Sequence, residues 1–172
     1  MGKALRYIVV LLLAAVYFVP KPHFLLTMDF PAHLLHHFWH ANVFHFAVNA
    51  LAVWTVLDPR TRPAWWLLPA GFAIGSLSYC FALKPVIGFS DILFAMAGLR
   101  TPSFRNAWWK STNAKVFIGS MFLMLLLPGF SATTHIGAFA LGAGVAFFIR
   151  FSKGLDYDTR RAAGGKGKSN YR

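Results

Sequence analysis

The sequence predicts an all-α polytopic membrane protein, and three observations carry this prediction. Of the 172 residues, 57% are hydrophobic and only 13% are charged, about half the charged share of an average globular domain. The mean hydropathy is +0.53, and so short a chain cannot hide that much apolar surface in a soluble core. Lys and Arg are nearly absent from the long apolar runs and gather at their ends. High hydrophobicity excludes a disordered chain, and a single cysteine, Cys80, excludes an internal disulfide scaffold.

Six apolar segments form the predicted transmembrane domain, which covers residues 1–151. The first segment begins like a signal peptide, but no clean small-x-small cleavage site precedes Lys21, so a retained helix is favoured. The fourth and sixth segments are short for helices that span a bilayer. The segments cover approximately Leu5–Pro20, Leu34–Leu57, Ala64–Leu83, Val86–Leu99, Val116–Phe130 and Thr134–Phe151.

The distribution of basic residues predicts the orientation. The net charge of +12 is compatible with nucleic-acid binding, but basic residues at the ends of apolar runs are typical of cytoplasmic loops, so no nucleic-acid partner is expected. With both termini in the cytoplasm, all but two of the 17 basic residues, Lys21 and Lys84, lie on the cytoplasmic side. Indoles are favoured at membrane interfaces, and four tryptophans fall at the inner one: Trp65, Trp66, Trp108 and Trp109.

Residues 152–172 have a different composition, rich in glycine and basic residues, which predicts a disordered cytoplasmic tail. Its charge is expected to rest on anionic lipid headgroups, so the bilayer itself is a predicted partner. The short connections between segments and the absence of a transit peptide favour a bacterial inner (plasma) membrane.

Four polar residues fall inside the apolar segments, where polar groups are costly and usually functional. They are Ser90, His135, His45 and Asn49. At about 1.5 Å per residue, all four lie about 14 to 22 Å from the cytoplasmic ends of their helices, in one layer of the outer half of the bilayer. Asp91 lies at the same depth, and a charge there requires nearby water. The sequence therefore predicts a wet pocket open to the outside, with Ser90 at its floor.

These residue types suit nucleophilic catalysis. A serine that opens a helix, with a histidine at similar depth, can form a nucleophile and its base. His45 and Asn49 are four residues apart and share a helix face, so with the Ser90 N–H they could hold an oxyanion. The alternatives without catalysis are that Ser90 only caps a helix and that His45 is a packed polar group that bridges helices. No carboxylate is placed to orient His135, so a dyad is the simpler assignment.

The motifs resemble those of the rhomboid family of intramembrane serine proteases, in its minimal six-helix bacterial form. The stretch from His40 through His45 to Asn49 is similar to the family's His-x4-His-x3-Asn pattern. Gly88-Phe89-Ser90 fits its Gly-x-Ser motif, and the small residues that follow His135 are similar to its sixth helix; these are Ala138, Gly142 and Ala146. Such a stripe of small residues lets two helices approach closely.

The resemblance implies a serine endopeptidase that needs no cofactor or metal and cleaves transmembrane proteins. Ser90 would be the nucleophile and His135 the base, and His45, Asn49 and the Ser90 amide would form the oxyanion hole. His40, Gly88 and Phe94 would support the site, with Phe94 packing on the base. Asp91 departs from the family, which commonly has glycine after the serine; it could cap the helix or tune the site. Thr134 and Ala138 also replace residues usual in the family.

Further histidines and Asp91 leave two other hypotheses open. His33, His36, His37 and His40 are spaced three to four residues apart, so most of them are expected along one side of a helix. They are expected to line the outer interface and hold loops, because no carboxylate or cysteine cluster completes a metal site. A haem- or metal-binding electron carrier is the less favoured hypothesis. The other hypothesis is a rhomboid-like protein that binds transmembrane clients without cleaving them. It is motivated by Asp91, which stands where the family commonly has glycine.

Overall fold

The computed structural model describes residues 2–23, 29–57, 66–100, 110–126 and 131–162. Within these ranges the chain is helical and forms no strand, which confirms the all-α prediction. The α-helices there are α1 (Gly2–Tyr17), α2 (Phe30–Leu35), α3 (Val43–Val56), α4 (Leu67–Ser78), α5 (Ser90–Leu99), α6 (Thr112–Leu126) and α7 (Ala132–Ala162). Two short 3-10 turns follow α2 and α4, at His36–Phe38 and Tyr79–Phe81.

The helices differ in whether they could cross a membrane. Among the described residues, Ala132–Ser152 within α7 is the one stretch both long and apolar enough to do so. Apolar stretches in α1, α3, α4 and α5 are shorter, at 10–17 residues. Six spanning helices therefore stay a prediction.

The second predicted segment is divided in the structure. The chain leaves the helical conformation after Phe38, since Trp39 (φ −94°, ψ 151°) and Asn42 (φ −157°, ψ 175°) are extended. The Asn42 side chain then caps α3, accepting a hydrogen bond from the His45 N–H at 2.8 Å. A capping side chain of this kind favours a helix start over a continuous helix. The prediction that Leu34–Leu57 forms one continuous helical segment was wrong for this reason.

The other boundaries differ less. α5 begins at Ser90, as predicted, and the preceding Gly88 has a positive φ of 129°. α7 continues as helix through Ala162, so helix rather than disordered chain follows the predicted boundary at Ser152. The rest of the predicted tail, residues 163–172, lies outside the described residues, as do Trp65, Trp108 and Trp109.

Helix α5 is the centre of the fold, and all ten of its residues are buried. It packs most extensively on α7, where glycine allows backbone contact: a Cβ on Gly98 would collide with the carbonyl oxygen of Phe139, and one on Gly142 with that of Ala95. On the other side, a Cβ on Gly75 of α4 would lie 3.0 Å from the backbone N of Ile92. Close backbone approach through small residues is therefore what holds α5 between its neighbours.

The contacts also give the helix directions. Ser90 contacts His135 near the start of both helices, and Gly98 packs on Phe139 later along each, so α5 and α7 are parallel. The guanidinium of Arg100, just after α5, donates to the carbonyl of Val56 at the end of α3 (3.2 Å), which brings those two helix ends together.

Candidate active site

Ser90 and His135 form the centre of the candidate site. Ser90 is the first residue of α5, and His135 lies in the first turn of α7. Their side chains meet with Ser90 Oγ 2.7 Å from His135 Nε2, and both residues are only 1% exposed. The sequence-predicted pair is thus brought together across 45 positions of the chain. With the hydroxyl donating to Nε2, this is the arrangement in which imidazole can accept the proton of a serine nucleophile.

His45 approaches the serine from α3. The backbone N–H of Ala41 donates to Nδ1 of His45 at 3.4 Å. Because a backbone N–H can only donate, Nδ1 is unprotonated and the neutral ring carries its proton on Nε2. Nε2 lies against the backbone of Gly88: a Cβ there would be 2.5 Å from it and 3.6 Å from Ser90 Oγ. The Nε2–H of His45 is therefore directed toward the Gly88–Ser90 turn.

Asn49 is held within its own helix. Its Nδ2 donates to the carbonyl of His45 at 2.9 Å, and the side chain is fully buried. An amide nitrogen has two hydrogens, so one stays able to donate elsewhere. Oδ1 of Asn49 has no hydrogen-bond partner among the described residues.

Asp91 connects the candidate site to His36, a histidine that the sequence analysis did not pair with Asp91. Its Oδ1 lies 3.4 Å from Nε2 of His135, and its Oδ2 lies 3.2 Å from Nε2 of His36. His36 Nδ1 donates in turn to the carbonyl of Ala32 at 2.7 Å. Because Nδ1 must keep its proton for that carbonyl, one further proton lies between Nε2 of His36 and the carboxylate.

One sequence expectation about Asp91 changes here. Asp91 makes no helix-capping hydrogen bond, because Phe89 is the N-cap residue and Asp91 points to the two histidines. Asp91 is 0% exposed and Ser90 1% exposed, and the carboxylate lies against His36 and His135; the wet pocket stays a prediction. Asp91 contacts the nitrogen of His135 that faces Ser90, so it does not occupy the orienting position of a catalytic triad.

The supporting residues surround this centre. The Phe94 ring packs on His135 with centroids 4.9 Å apart, and His40 packs edge-on against His45 at 5.2 Å. The Gly88 N–H donates to the carbonyl of His36 at 2.9 Å, which ties the serine turn to the 3-10 turn.

The His36–Asp91 contact is the feature that sequence reasoning missed. The two residues are 55 positions apart, and the expectation that no carboxylate completes a ligand set with these histidines overlooked Asp91. One signal was available: a buried aspartate requires a partner, and the histidines before α3 were predicted for the same outer layer.

Comparison of the chain with protein-family models, with curated proteins and with solved structures finds no match. The interpretation of the site therefore depends on the geometry of its residues.

Proposed function

We propose that this chain is a rhomboid-type intramembrane serine protease, an endopeptidase that hydrolyses peptide bonds in or near transmembrane segments of other membrane proteins. The observation that carries the proposal is the buried hydrogen bond between Ser90 Oγ and His135 Nε2, at 2.7 Å. A serine hydroxyl aimed at an imidazole, at the start of a helix whose dipole favours negative charge, is suited to acyl transfer.

The distribution of polar and apolar side chains supports a location in the bilayer. Ionisable and polar side chains are buried at the centre of the fold, whereas large apolar ones are exposed at its surface. Only 22% of the apolar stretch of α7 is buried; on this helix Ile136, Phe147 and Phe148 are each at least 60% exposed. In water such a surface would aggregate, but it matches lipid tails.

The contacts at one end of the bundle support the proposed orientation. The Arg6 guanidinium lies 4.2 Å from the centre of the Trp54 ring, near the end of α3 where Arg100 also binds. A basic and aromatic cluster of this kind suits a cytoplasmic interface. The candidate site, near the starts of α5 and α7, would then lie toward the outer side. A bacterial inner membrane with both termini cytoplasmic is the proposed location, and six spanning helices are the proposed architecture.

The proposed mechanism has two steps. Ser90 Oγ attacks the scissile carbonyl carbon as its proton passes to Nε2 of His135. The Ser90 N–H, the Nε2–H of His45 and the second Nδ2 hydrogen of Asn49 donate to the resulting oxyanion. The tetrahedral intermediate expels the amine, which takes the proton from His135, and water then hydrolyses the acyl-enzyme by the same route. Asp91, 3.4 Å from Nε2, stabilises the positive charge that His135 acquires.

The same aspartate favours a second candidate function, a rhomboid-like protein that binds transmembrane clients without cleaving them. The carboxylate of Asp91 directly follows Ser90, close to where the oxyanion would form. Because like charges repel, it would raise the energy of that oxyanion. It also contacts the base nitrogen that must receive the proton of Ser90.

Labelling by a fluorophosphonate probe in detergent tests the proposal. Wild type should be labelled, and Ser90→Ala should not. Ser120→Ala is the matched control, because Ser120 is also a buried helical serine but its hydroxyl donates to the Phe117 carbonyl of its own helix at 2.8 Å. Cleavage of a transmembrane reporter in proteoliposomes should show the same pattern.

The outcomes separate the two functions. Cleavage by Ser90→Ala at the wild-type rate would contradict the protease assignment. Labelling of Asp91→Gly, with none of wild type, would show an assembled site that Asp91 silences. Client capture unchanged in Ser90→Ala, with no labelling of any folded variant, would select the client-binding protein.

A further inference from the structure

A second group of ligand-type side chains lies beside the Ser90–His135 pair. His36, His37 and Asp91 are all fully buried, and one potential metal-ligand atom from each lies within 4.8 Å of the others. The two histidines come from the 3-10 turn after α2, whereas the aspartate comes from the first turn of α5. Two imidazoles and a carboxylate are a donor set that suits divalent transition metals.

The outer hydrogen bonds of both histidines are those expected around a metal. His36 Nδ1 donates to the carbonyl of Ala32 at 2.7 Å, and His37 Nε2 is 3.1 Å from Ser76 Oγ. A metal-bound histidine typically uses its second ring nitrogen in this way, which fixes the orientation of the ring. These contacts leave Nδ1 of His37 as the ring nitrogen that is not used outside the group, and Nε2 of His36 lies at the carboxylate of Asp91.

Nδ1 of His37 is the unexplained atom of the group. It is buried and has no hydrogen-bond partner among the described residues; the backbone of Gly88 lies near the ring but outside bonding geometry. A buried polar atom without a partner is costly. A metal ion on this nitrogen would satisfy it.

We propose that His36, His37 and Asp91 bind one divalent transition-metal ion of the zinc class. His36 Nε2 and Asp91 Oδ2 are 3.2 Å apart, close to the separation of about 3.3 Å between two ligands of a tetrahedral ion with bonds of about 2.0 Å. The ion replaces the proton that lies between these two atoms, and small rotations bring Nδ1 of His37 to the third position. Water supplies the remaining ligand.

Metal binding by the full chain in detergent tests this proposal without any assay of proteolysis. Protein free of affinity tags is treated with a chelator, loaded with Zn²⁺ or Co²⁺, desalted and measured for metal content. We expect one ion per chain, with visible Co²⁺ absorption bands typical of four-coordination by nitrogen and oxygen. His37→Ala should lose the stoichiometric ion. His33→Ala is the matched control, because it removes a neighbouring histidine outside the group and should keep the ion.

Ser76→Ala provides a second, milder variant. It removes only the outer partner of His37 and should weaken Zn²⁺ binding by about 10-fold or more in competition with a chromophoric chelator. Failure of wild type to retain an ion overturns the proposal whether or not the variants fold. Equal retention by wild type and a folded His37→Ala also overturns it. Because the readout is metal content, either result leaves the proposed protease activity to its own test.

Discussion

A single methyl group at Gly142 should separate the two helices that carry the candidate site. A Cβ at this position of α7 would collide with the carbonyl oxygen of Ala95 and lie 3.1 Å from the backbone N of Leu99. These obstacles are backbone atoms of α5, so no side-chain rotation can relieve the contact. Gly144, on the same helix, is the matched control, because a Cβ there would meet nothing within 4 Å.

The expected magnitudes follow from two opposing effects. Alanine is favoured over glycine in a helix interior by about 1 kcal/mol, so Gly144→Ala should be neutral or more stable by up to that amount. Overpacking costs about 1 to 3 kcal/mol, and the upper end applies at Gly142 because whole helices must move. Gly142→Ala should therefore be about 2 kcal/mol less stable than wild type, after about 1 kcal/mol of helix propensity is subtracted.

Equilibrium unfolding measures this difference. The two variants are titrated from mild detergent into sodium dodecyl sulfate, and unfolding is followed by circular dichroism. Fluorophosphonate labelling is measured in parallel, because separation of the helices also moves His135 away from Ser90. Equal stability of Gly142→Ala and Gly144→Ala would refute the argument that backbone contact holds α5 against α7.

Three further predictions concern Gly88, the Asn42 cap of α3, and the contact between Asp91 and His36. Gly88→Ala should abolish probe labelling, because φ of 129° strains any L-residue and the new Cβ would lie 2.5 Å from Nε2 of His45; unchanged labelling would refute the turn geometry. Asn42→Ala removes the cap of α3 and should cost about 1 kcal/mol in the same unfolding titration, whereas Asn42→Asp should cost less. Asp91→Asn should destabilise by about 3 to 5 kcal/mol, because it removes the buried carboxylate that shares a proton with His36; combining it with His36→Gln should recover part of that loss, and strictly additive effects would show that the two residues do not interact.

Much of the helical architecture could be read from the amino-acid order. The apolar runs identified the regions of α1, α3, α4, α5, α6 and α7, because continuous apolar stretches of that length favour helices whose apolar side chains are hidden from water. The start of α5 at Ser90 was predicted from the glycine and the polar residues before and after it. The alternation of direction, which basic residues at segment ends suggested, agrees with the parallel packing of α5 and α7.

Local competition between side chains and backbone was harder to predict. Hydrophobicity alone joined Leu34–Leu57 into one segment, but the Asn42 side chain caps α3 and the chain before it is extended. The result moves His36 and His37 off the helix that carries His45. A hydropathy pattern contains no information about which polar side chain will bind the backbone.

The sequence by itself determined the helical class, the central polar residues and the pairing of Ser90 with His135 as the candidate chemistry. Each of these depends on residue type, spacing or depth along one helix, which are properties of the linear chain. Only the tertiary structure decided what Asp91 does. Its contacts with His36 and His135, its complete burial and the nearby His37 depend on how three separate elements pack. Those contacts join residues that are far apart in the chain, and spacing in the sequence does not encode such distances.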